Sequence, residues 1–313
     1  MKKLLVCGGS GFLGSHVADA LSEVGYAVRL FDRKVSPYLR KEQEMVVGDL
    51  LDAEALAKAA EGCSVVYNFA GIADIDEARL KPAETLKTNV IGNANALEAA
   101  RQAKAERFVL ASTVYVYSAS GSFYRVSKQA CEQATEAFHE EFGLPYTILR
   151  YGSLYGRRAD RRNGIHRLLH GALIEGVVRY NGTGEELREY IHVEDAARLS
   201  VDILKPEYAN MPIILTGHHP MRVSDLMGMI HEIMRGRVKL EYSKVPVSGH
   251  YSVTPYAFHP RLGKKLVSHL YTDMGQGLLD CLAELRSRLA AQEGEAAAPP
   301  RAQRRAGSGK PRG

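Results

Sequence analysis

Short apolar stretches alternate with longer amphipathic stretches through the first half of the chain. The amphipathic stretches repeat apolar side chains at helical spacing, as in Leu13, Val17, Leu21 and Val24 before Gly25. Strands are predicted just before residue 8 and at residues 27–31, 45–47, 64–69, 107–111 and 146–150. Helices are predicted from residue 13 and near residues 53–60, 82–102 and 124–142. This alternation predicts an α/β fold with a doubly wound parallel sheet, whose ligands bind beyond the carboxyl ends of the strands.

The pattern becomes less regular after Gly156, with short elements and many Pro, Gly and His residues. We therefore predict a nucleotide-binding domain at residues 1–155, rejoined by about residues 188–204. Residues 156–289 are predicted to form mainly a smaller α/β substrate-binding cap, interleaved with the first domain. Residues 290–313 are rich in Ala, Pro, Gly and Arg without apolar periodicity, and this composition is typical of a disordered tail.

Composition narrows the class of protein. The 313 residues are 45% hydrophobic and 25% charged, as in ordinary globular proteins. No apolar run approaches the roughly eighteen residues of a membrane span. Because a strand is predicted at the first residues, we expect no signal peptide. Four isolated cysteines favour the reducing cytoplasm over a disulfide framework or a metal site. The net charge of +5 includes +3 from the tail, so the body gives no indication of nucleic-acid binding.

A glycine-rich loop follows the first strand. Gly8, Gly11 and Gly14 have the GxxGxxG spacing, and Phe12 and Leu13 open the following helix. Such a loop permits a tight turn, close approach to a pyrophosphate and close packing of the helix on the strand. This turn is therefore predicted to bind the pyrophosphate of a dinucleotide, as in a Rossmann domain.

The second strand ends beside Asp32. A carboxylate at this place accepts hydrogen bonds from both ribose hydroxyls of NAD and repels the 2′-phosphate of NADP. Arg33 and Lys34 follow directly and leave NADP open as the alternative. NAD is the predicted cofactor.

A hydroxyl, a phenol and an amine can meet at the end of the strand predicted at residues 107–111. Ser112 and Thr113 come first, and Tyr124 and Lys128 follow on one face of a helix, four residues apart. The Lys128 ammonium is predicted to lower the pKa of Tyr124 below its usual value of about 10. A phenol with a lowered pKa can act as a general base.

With these motifs, the chain resembles the extended short-chain dehydrogenase/reductases, in particular their nucleotide-sugar epimerase/dehydratase branch. The resemblance runs from Lys2 to about Leu289. The matching stretches are the glycine loop, the Tyr124–Lys128 pair and residues 48–52, 68–71, 88–93, 149–156 and 182–195.

The resemblance implies a role for each matched residue. Asp49 and Leu50 would meet the adenine of NAD, Ala70 and Gly71 would let the cofactor cross the sheet, and Asn89 would brace this site. Thr113, Tyr124 and Lys128 would be catalytic, with Lys128 also binding the nicotinamide ribose. Thr113, Ser153 and Arg188 would bind the substrate, a nucleoside-diphosphate sugar, and Arg188 would hold its diphosphate.

Three departures from the family pattern affect the predicted function. The segment between Thr113 and Tyr124 is short, so the wall over the sugar is reduced. Ser153 replaces the usual Asn. Val114 and Tyr115 replace the acidic pair that 4,6-dehydratases use to protonate the leaving hydroxyl. These residues favour a C4 epimerase with a transient 4-keto sugar; a 4-keto reductase, a dehydrogenase or another sugar-nucleotide dehydratase are alternatives, and a nonenzymatic nicotinamide sensor is a distant one.

The resemblance also implies a homodimer, and we expect a cytoplasmic enzyme that serves polysaccharide biosynthesis. Ala130, Ala134 and Ala137 form a small face that would permit a four-helix contact between subunits. Other features have simpler interpretations. His166 and His170 are spaced like zinc ligands but lack a third, so no metal is predicted. The arginines at 157, 158, 161 and 162 fit a solvated loop or a loop near substrate phosphates, and Cys131 fits helix packing.

Overall fold

A computed structural model describes residues 2–243 and 249–255. Its first half contains strands β1 Lys3–Cys7, β2 Ala27–Asp32, β3 Glu44–Val47, β4 Cys63–Asn68, β5 Arg107–Thr113 and β6 Tyr146–Tyr151. The helices between them are α1 Phe12–Glu23, α2 Ala53–Ala60, α3 Ile75–Leu80, α4 Pro82–Leu86, α5 Gly92–Gln102 and α6 Ser122–Phe142. Each predicted strand is present, and the ends differ by one or two residues.

The second half supplies shorter elements. These are β7 Ser153–Tyr155, α7 Gly164–Ile174, β8 Val177–Tyr180, β9 Leu187–His192, α8 Val193–Asp202, β10 Met211–Leu215, β11 Pro220–Arg222, α9 Val223–Ile233 and β12 Lys239–Tyr242. The predicted tail at residues 290–313 lies outside the described residues. No helix of the described part is long and apolar enough to cross a membrane.

Seven parallel strands form the central sheet in the order β10-β6-β5-β4-β1-β2-β3. One face packs against α1 and α8, and the other packs against α2, α5 and α6. The strands are buried on both faces, which explains their continuous apolar runs. The doubly wound prediction is thereby confirmed. The order reverses beside β1, because the chain leaves β1 for β2 on one side and later adds β4 on the other.

The predicted helix at residues 82–102 is interrupted. A π-helical segment, Lys87–Ile91, joins α4 to α5 and widens the helix by one residue per turn. Asn89 lies in this segment, and its side-chain amide makes hydrogen bonds to a neighbouring loop and to α6. A uniform apolar period could not reveal this change, because the side chains around it keep a helical spacing.

The shorter elements form a smaller α/β unit. Strands β11, β9 and β7 make one small sheet, and β12 pairs with β8 in another. Helices α7 and α9 share an apolar cluster with β8 that includes Leu168, Val178 and Met227. Strand β10 falls in the range predicted to be mainly cap, yet it forms the edge of the central sheet beside β6.

Candidate active site

The glycine loop makes a tight turn between β1 and α1. Gly8 has φ +79°, and its N–H donates to the Phe31 carbonyl at 2.8 Å. A Cβ on Gly14 would lie 2.2 Å from the Gly8 oxygen, and one on Gly11 would lie 3.2 Å from it. No side chain caps α1 at Gly11, so its first N–H groups remain for a ligand. The loop therefore fits a pyrophosphate against the helix N-terminus.

Asp32 ends β2 at the rim of the same cavity. Its Oδ2 accepts a hydrogen bond from the Ser10 N–H at 3.1 Å, which fixes the carboxylate beside the glycine loop. Arg33 and Lys34 also line the cavity, and the Lys34 carbonyl accepts a hydrogen bond from the Ser10 hydroxyl at 2.7 Å. The position of the carboxylate suits the ribose of NAD.

Asp49 and Leu50 line the cavity beyond β3. The Leu51 N–H donates to Asp49 Oδ1 at 2.9 Å, which makes a local turn. Leu50 is buried, and a Cβ on Gly92 would lie 2.5 Å from its Cδ2. Leu50 therefore presents an apolar surface held in place by α5.

Ala70 and Gly71 line the cavity where the chain leaves β4, whereas Asn89 lies behind them. The Asn89 Oδ1 accepts from the Ile72 N–H at 2.7 Å, and its Nδ2 donates to the Ile72 carbonyl at 3.0 Å and to the Ser127 hydroxyl at 2.9 Å. Gly71 has φ +147°, and a Cβ there would lie 2.7 Å from Asn89 Oδ1. Asn89 thus holds the loop against α6 without forming part of the cavity wall.

Thr113, Tyr124 and Lys128 meet at the carboxyl end of β5, and all three line the cavity. Thr113 is the last residue of β5, and Tyr124 and Lys128 lie in the first two turns of α6. A hydrogen bond joins the side chains of Thr113 and Tyr124. Lys128 is buried, and its Nζ donates to the Ala111 carbonyl at 2.7 Å.

The protonation of Tyr124 differs from the prediction. Burial raises its pKa to about 12, and the hydrogen bond with Thr113 only partly opposes this. Lys128 Nζ lies 6.0 Å from the centre of the tyrosine ring and is bonded to Ala111 instead. Burial also lowers the pKa of Lys128, against the fields of Cys131 and Glu132. The prediction of a lowered Tyr124 pKa was wrong because desolvation of the phenolate outweighs a cation at this distance.

The other end of the cavity holds the predicted substrate residues. Ser153 lines it from β7, and Arg188 lines it from β9. The guanidinium of Arg188 lies 4.5 Å from the centre of the Tyr251 ring, and its Nη1 donates to the Leu187 carbonyl at 3.0 Å. Among the described residues no carboxylate pairs with Arg188. An anionic group of a substrate can therefore meet this arginine.

Two further groups were not identified as functional from the sequence. His250 lines the cavity and is hydrogen-bonded to Tyr115. Glu132 lies one helical turn beyond Lys128 and pairs with Arg150. Its spacing from Lys128 was a usable signal, whereas nothing local connects His250 to Tyr115.

Most other polar features have structural partners. The rings of His166 and His170 stack 6.3 Å apart, and the described residues contain no cluster of three His, Cys, Asp or Glu side chains that could hold a metal. Of the clustered arginines, those at 157, 158 and 162 pair with Glu194, Asp19 and Asp160, and only the last lines the cavity. Burial raises the pKa of Cys131 to about 11, as expected of a packed thiol.

One cavity of about 1530 Å³ contains both the glycine loop and Arg188. Sites for a single small ligand usually have about 300–1,000 Å³. The cavity therefore has room for a dinucleotide and a second nucleotide-sized ligand, with Thr113 and Tyr124 among its lining residues.

Comparison with known proteins gives matches along most of the chain. The model of the NAD dependent epimerase/dehydratase family matches residues 4–211. UDP-N-acetyl-alpha-D-glucosaminuronate decarboxylase of Bacillus cytotoxicus is 26% identical over 268 residues, which are 76% of this chain and 82% of the relative.

Solved structures match with similar coverage. UDP-glucose 4-epimerase of Thermotoga maritima with UDP-glucose has a TM-score of 0.74 and 26% identity, covering 82% of this chain and 90% of that one. UDP-glucuronic acid 4-epimerase of Bacillus cereus, in complex with UDP-glucuronic acid and NAD, has a TM-score of 0.73 and 26% identity, covering 80% and 89%.

Proposed function

Because the chain belongs to the NAD dependent epimerase/dehydratase family, we propose that it inverts C4 of a nucleoside-diphosphate sugar through a transient 4-keto sugar. The observation that carries this proposal is the hydrogen-bonded pair of Thr113 and Tyr124, which lines the same cavity as the glycine loop and Arg188. A nonenzymatic sensor of nicotinamide would have no use for this pair. The 4-epimerases among the similar structures support the choice of reaction.

The residues at the cofactor end fit NAD. Gly8, Gly11 and Gly14 leave room for the pyrophosphate, and Asp32 would accept the ribose hydroxyls. Asp49 and Leu50 would border the adenine, and Ala70 and Gly71 would pass the cofactor toward Lys128. When bound, NAD supplies a nicotinamide ring that takes a hydride from C4 and returns it to the opposite face of the sugar.

Tyr124 moves the proton in this mechanism. Its oxygen would take the proton of the sugar 4-hydroxyl, and Thr113 would share that hydrogen bond. A phenol with a pKa of about 12 is protonated at neutral pH, so the base form needs a nearby cation. Lys128 supplies the cation from within the chain, and its approach to the phenol requires Nζ to leave the Ala111 carbonyl.

Inversion requires the keto sugar to turn while its diphosphate stays bound. Arg188 would hold the diphosphate as a permanent charge with a planar set of donors, and Ser153 would add a hydroxyl from the neighbouring strand β7. Tyr124 would then return the proton to the new 4-hydroxyl. Neither the sugar nor NAD is oxidised or reduced overall in this cycle.

A 4-keto reductase or a dehydrogenase is the second candidate, because it would use the same residues and release its cofactor. Dehydration is disfavoured by the groups near Thr113. Burial raises the pKa of Tyr115 above its ordinary value, which makes it a poor acid. Glu186 accepts the N–H groups of Thr183 and Gly184, and Glu185 is exposed beside Arg222.

We further propose a homodimer formed through α5 and α6. Ile91, directly before α5, is 53% exposed, and Phe123 and Val126 at the start of α6 are 39% and 40% exposed; all three are apolar. Contact between two copies of this surface would bury them together with the small face of α6. Cytoplasmic location and a role in polysaccharide biosynthesis complete the proposal, and the buried, free Cys7, Cys63 and Cys131 suit a reducing compartment.

The reaction is tested by proton NMR of UDP-glucose, UDP-galactose and UDP-glucuronic acid incubated with the protein and NAD. We expect inversion at C4 of one sugar without net change in NADH. Tyr124→Phe should slow this reaction about a hundredfold to ten-thousandfold and leave NAD affinity nearly unchanged. Tyr242→Phe, which lies outside the cavity lining, is the matched control.

Three results would redirect the assignment. Stoichiometric NADH formation indicates a dehydrogenase, and a 6-deoxy methyl doublet indicates a dehydratase. Full turnover by Tyr124→Phe would refute the proton path through this phenol.

A further inference from the structure

His250 and Tyr251, from the segment at residues 249–255, form a wall of the cavity next to the short segment between Thr113 and Tyr124. The Gly121 N–H donates to the Gly249 carbonyl at 2.8 Å, and the Leu187 N–H donates to the Ser252 carbonyl at 2.8 Å. The rings of Tyr115 and Tyr251 lie 4.5 Å apart between these two attachments. His250 and Tyr251 thus cover the side of the cavity next to the short segment between Thr113 and Tyr124.

His250 is held in this wall by one hydrogen bond. Its Nδ1 lies 2.7 Å from the Tyr115 hydroxyl. Burial raises the pKa of Tyr115, so the phenol keeps its proton and needs an acceptor. Within the described residues the only acceptor for that proton is Nδ1 of His250. In the tautomer with its proton on Nε2, the imidazole accepts this hydrogen bond at Nδ1.

The hydrogen bond at Nδ1 determines the state of the other nitrogen. Burial lowers the pKa of His250, and the field of Arg188 lowers it further, so the ring is neutral. A neutral imidazole that accepts at Nδ1 has its proton on Nε2. The part of the chain that the structure describes gives Nε2 no partner. A fixed N–H donor is thus left for a ligand in the cavity that His250 lines.

The location of His250 favours the sugar over the other parts of the substrate. The Tyr115 ring lies 6.0 Å from the His250 ring and 6.4 Å from the Tyr124 ring. His250 is therefore one aromatic ring away from the phenol that would meet the sugar's C4. The charged groups around it are Arg188, Arg167, Asp74 and Asp76. The arginines can neutralise a diphosphate, whereas a neutral donor suits a hydroxyl.

We propose that His250 donates a hydrogen bond from Nε2 to a hydroxyl of the substrate's sugar ring, with Tyr115 holding the imidazole in the donating tautomer. His250 is then a sugar-specificity residue that the resemblance to the family does not assign. This assignment rests on the proposed function, because it requires a nucleotide-sugar substrate. It places sugar recognition on a segment, residues 249–255, that lies far along the sequence from helix α6 at Ser122–Phe142.

The test separates binding of the sugar from binding of the diphosphate. Calorimetric titrations of NAD-loaded protein use UDP-glucose, UDP-glucuronic acid and UDP alone. His250→Phe keeps a ring in the wall but removes the donor, so it should weaken binding of the UDP-sugar that the wild type prefers by about tenfold. Binding of UDP should change less than about twofold. His250→Gln, which keeps an N–H donor, should recover part of the loss.

Two variants complete the experiment. Tyr115→Phe should weaken UDP-sugar binding in the same pattern but by less, because the imidazole remains and only its tautomer is released. His219→Phe alters an exposed histidine outside the cavity lining and should change nothing. Unchanged NAD affinity in each variant shows that the nucleotide-binding domain is folded.

The outcomes distinguish the two proposals. Equal weakening for UDP and UDP-sugar would place His250 on the diphosphate, and unchanged binding by His250→Phe would remove it from the site. Either result overturns the assignment while leaving the epimerase proposal in place. A wild-type protein that binds none of the three ligands would refute the proposed function for UDP-sugars, and the role of His250 with it.

Discussion

Glu132 is a buried charge whose removal should be costly for the fold. Its carboxylate accepts from Arg150 Nε at 3.0 Å and from Nη2 at 2.6 Å, and the Ser112 hydroxyl donates to it at 2.5 Å. The side chains of Glu132 and Arg150 are 9% and 14% exposed. Arg150 also donates to the Tyr117 hydroxyl. The pair therefore links α6, β5, β6 and the turn after Thr113.

Glu132→Ala leaves the Arg150 guanidinium buried without its carboxylate. Removing one partner of a buried pair costs about 3–5 kcal/mol of unfolding free energy, because the remaining charge stays desolvated. For a domain of this size, that corresponds to a fall in Tm of roughly 6–20 °C. Urea unfolding of the NAD-free protein, followed by circular dichroism, measures the loss. We also expect reduced turnover, since Ser112 directly precedes Thr113.

Two further variants test the physical reason. Glu132→Leu combined with Arg150→Met removes both charges and should recover much of the stability lost in Glu132→Ala. Glu54→Ala breaks the exposed pair of Glu54 and Lys58, whose side chains are 82% and 70% exposed, and should leave the free energy of unfolding nearly unchanged. If Glu132→Ala costs no more than this surface control, the buried pair is not a stabilising link and the reasoning fails.

Two other predictions concern the cofactor end and the phenol. Asp32→Ala should reduce the preference for NAD over NADP, because the carboxylate that repels a 2′-phosphate is gone while Arg33 and Lys34 remain. Fluorescence titrations with NADH and NADPH measure the two affinities. An unchanged ratio of these affinities would contradict the prediction. Because burial raises the pKa of Tyr124 from 10.0 to about 12, the phenol binds its proton more tightly in the folded state. The contribution of this phenol to the free energy of unfolding is therefore complete below pH 10 and is lost as the pH rises toward 12. An ultraviolet titration of the NAD-free wild type against Tyr124→Phe should therefore show a phenol that ionises near pH 12, and ionisation below pH 10 would show that Lys128 governs it after all.

The sequence alone predicted those cavity residues that are recognised by their local spacing. The glycine loop, Asp32 after its strand and the Tyr124–Lys128 pair are each defined within a few residues of a regular element, and the structure brings all of them to one cavity. The pKa of Tyr124 could not be derived in the same way. Spacing shows that Lys128 is near, but burial and the competing Ala111 carbonyl are properties of the packed site.

Long-range partners leave no periodic signal. Glu132 meets Arg150 across 18 positions, and Tyr115 meets His250 across 135 positions. Asn89 has a clear place in the family pattern, yet only packing shows that its amide holds the loop at Ile72 from behind the cavity wall. These contacts arise from the order of the strands and the path of the cap, which a single sequence does not specify residue by residue.

The part of the chain that matches the family model ends before the residue that we propose to contact the sugar. The match ends at residue 211, so it includes the glycine loop, Thr113, Tyr124, Lys128 and Arg188 but stops before His250. Under the proposed mechanism, the residues that bind the cofactor and move the proton are needed whichever sugar is bound. A wall that contacts the sugar must instead differ between substrates. His250, which we propose to contact the sugar, lies beyond the matched region, so the sugar cannot be inferred from that region alone. Exchanging residues 249–251 should therefore alter sugar preference more than NAD affinity.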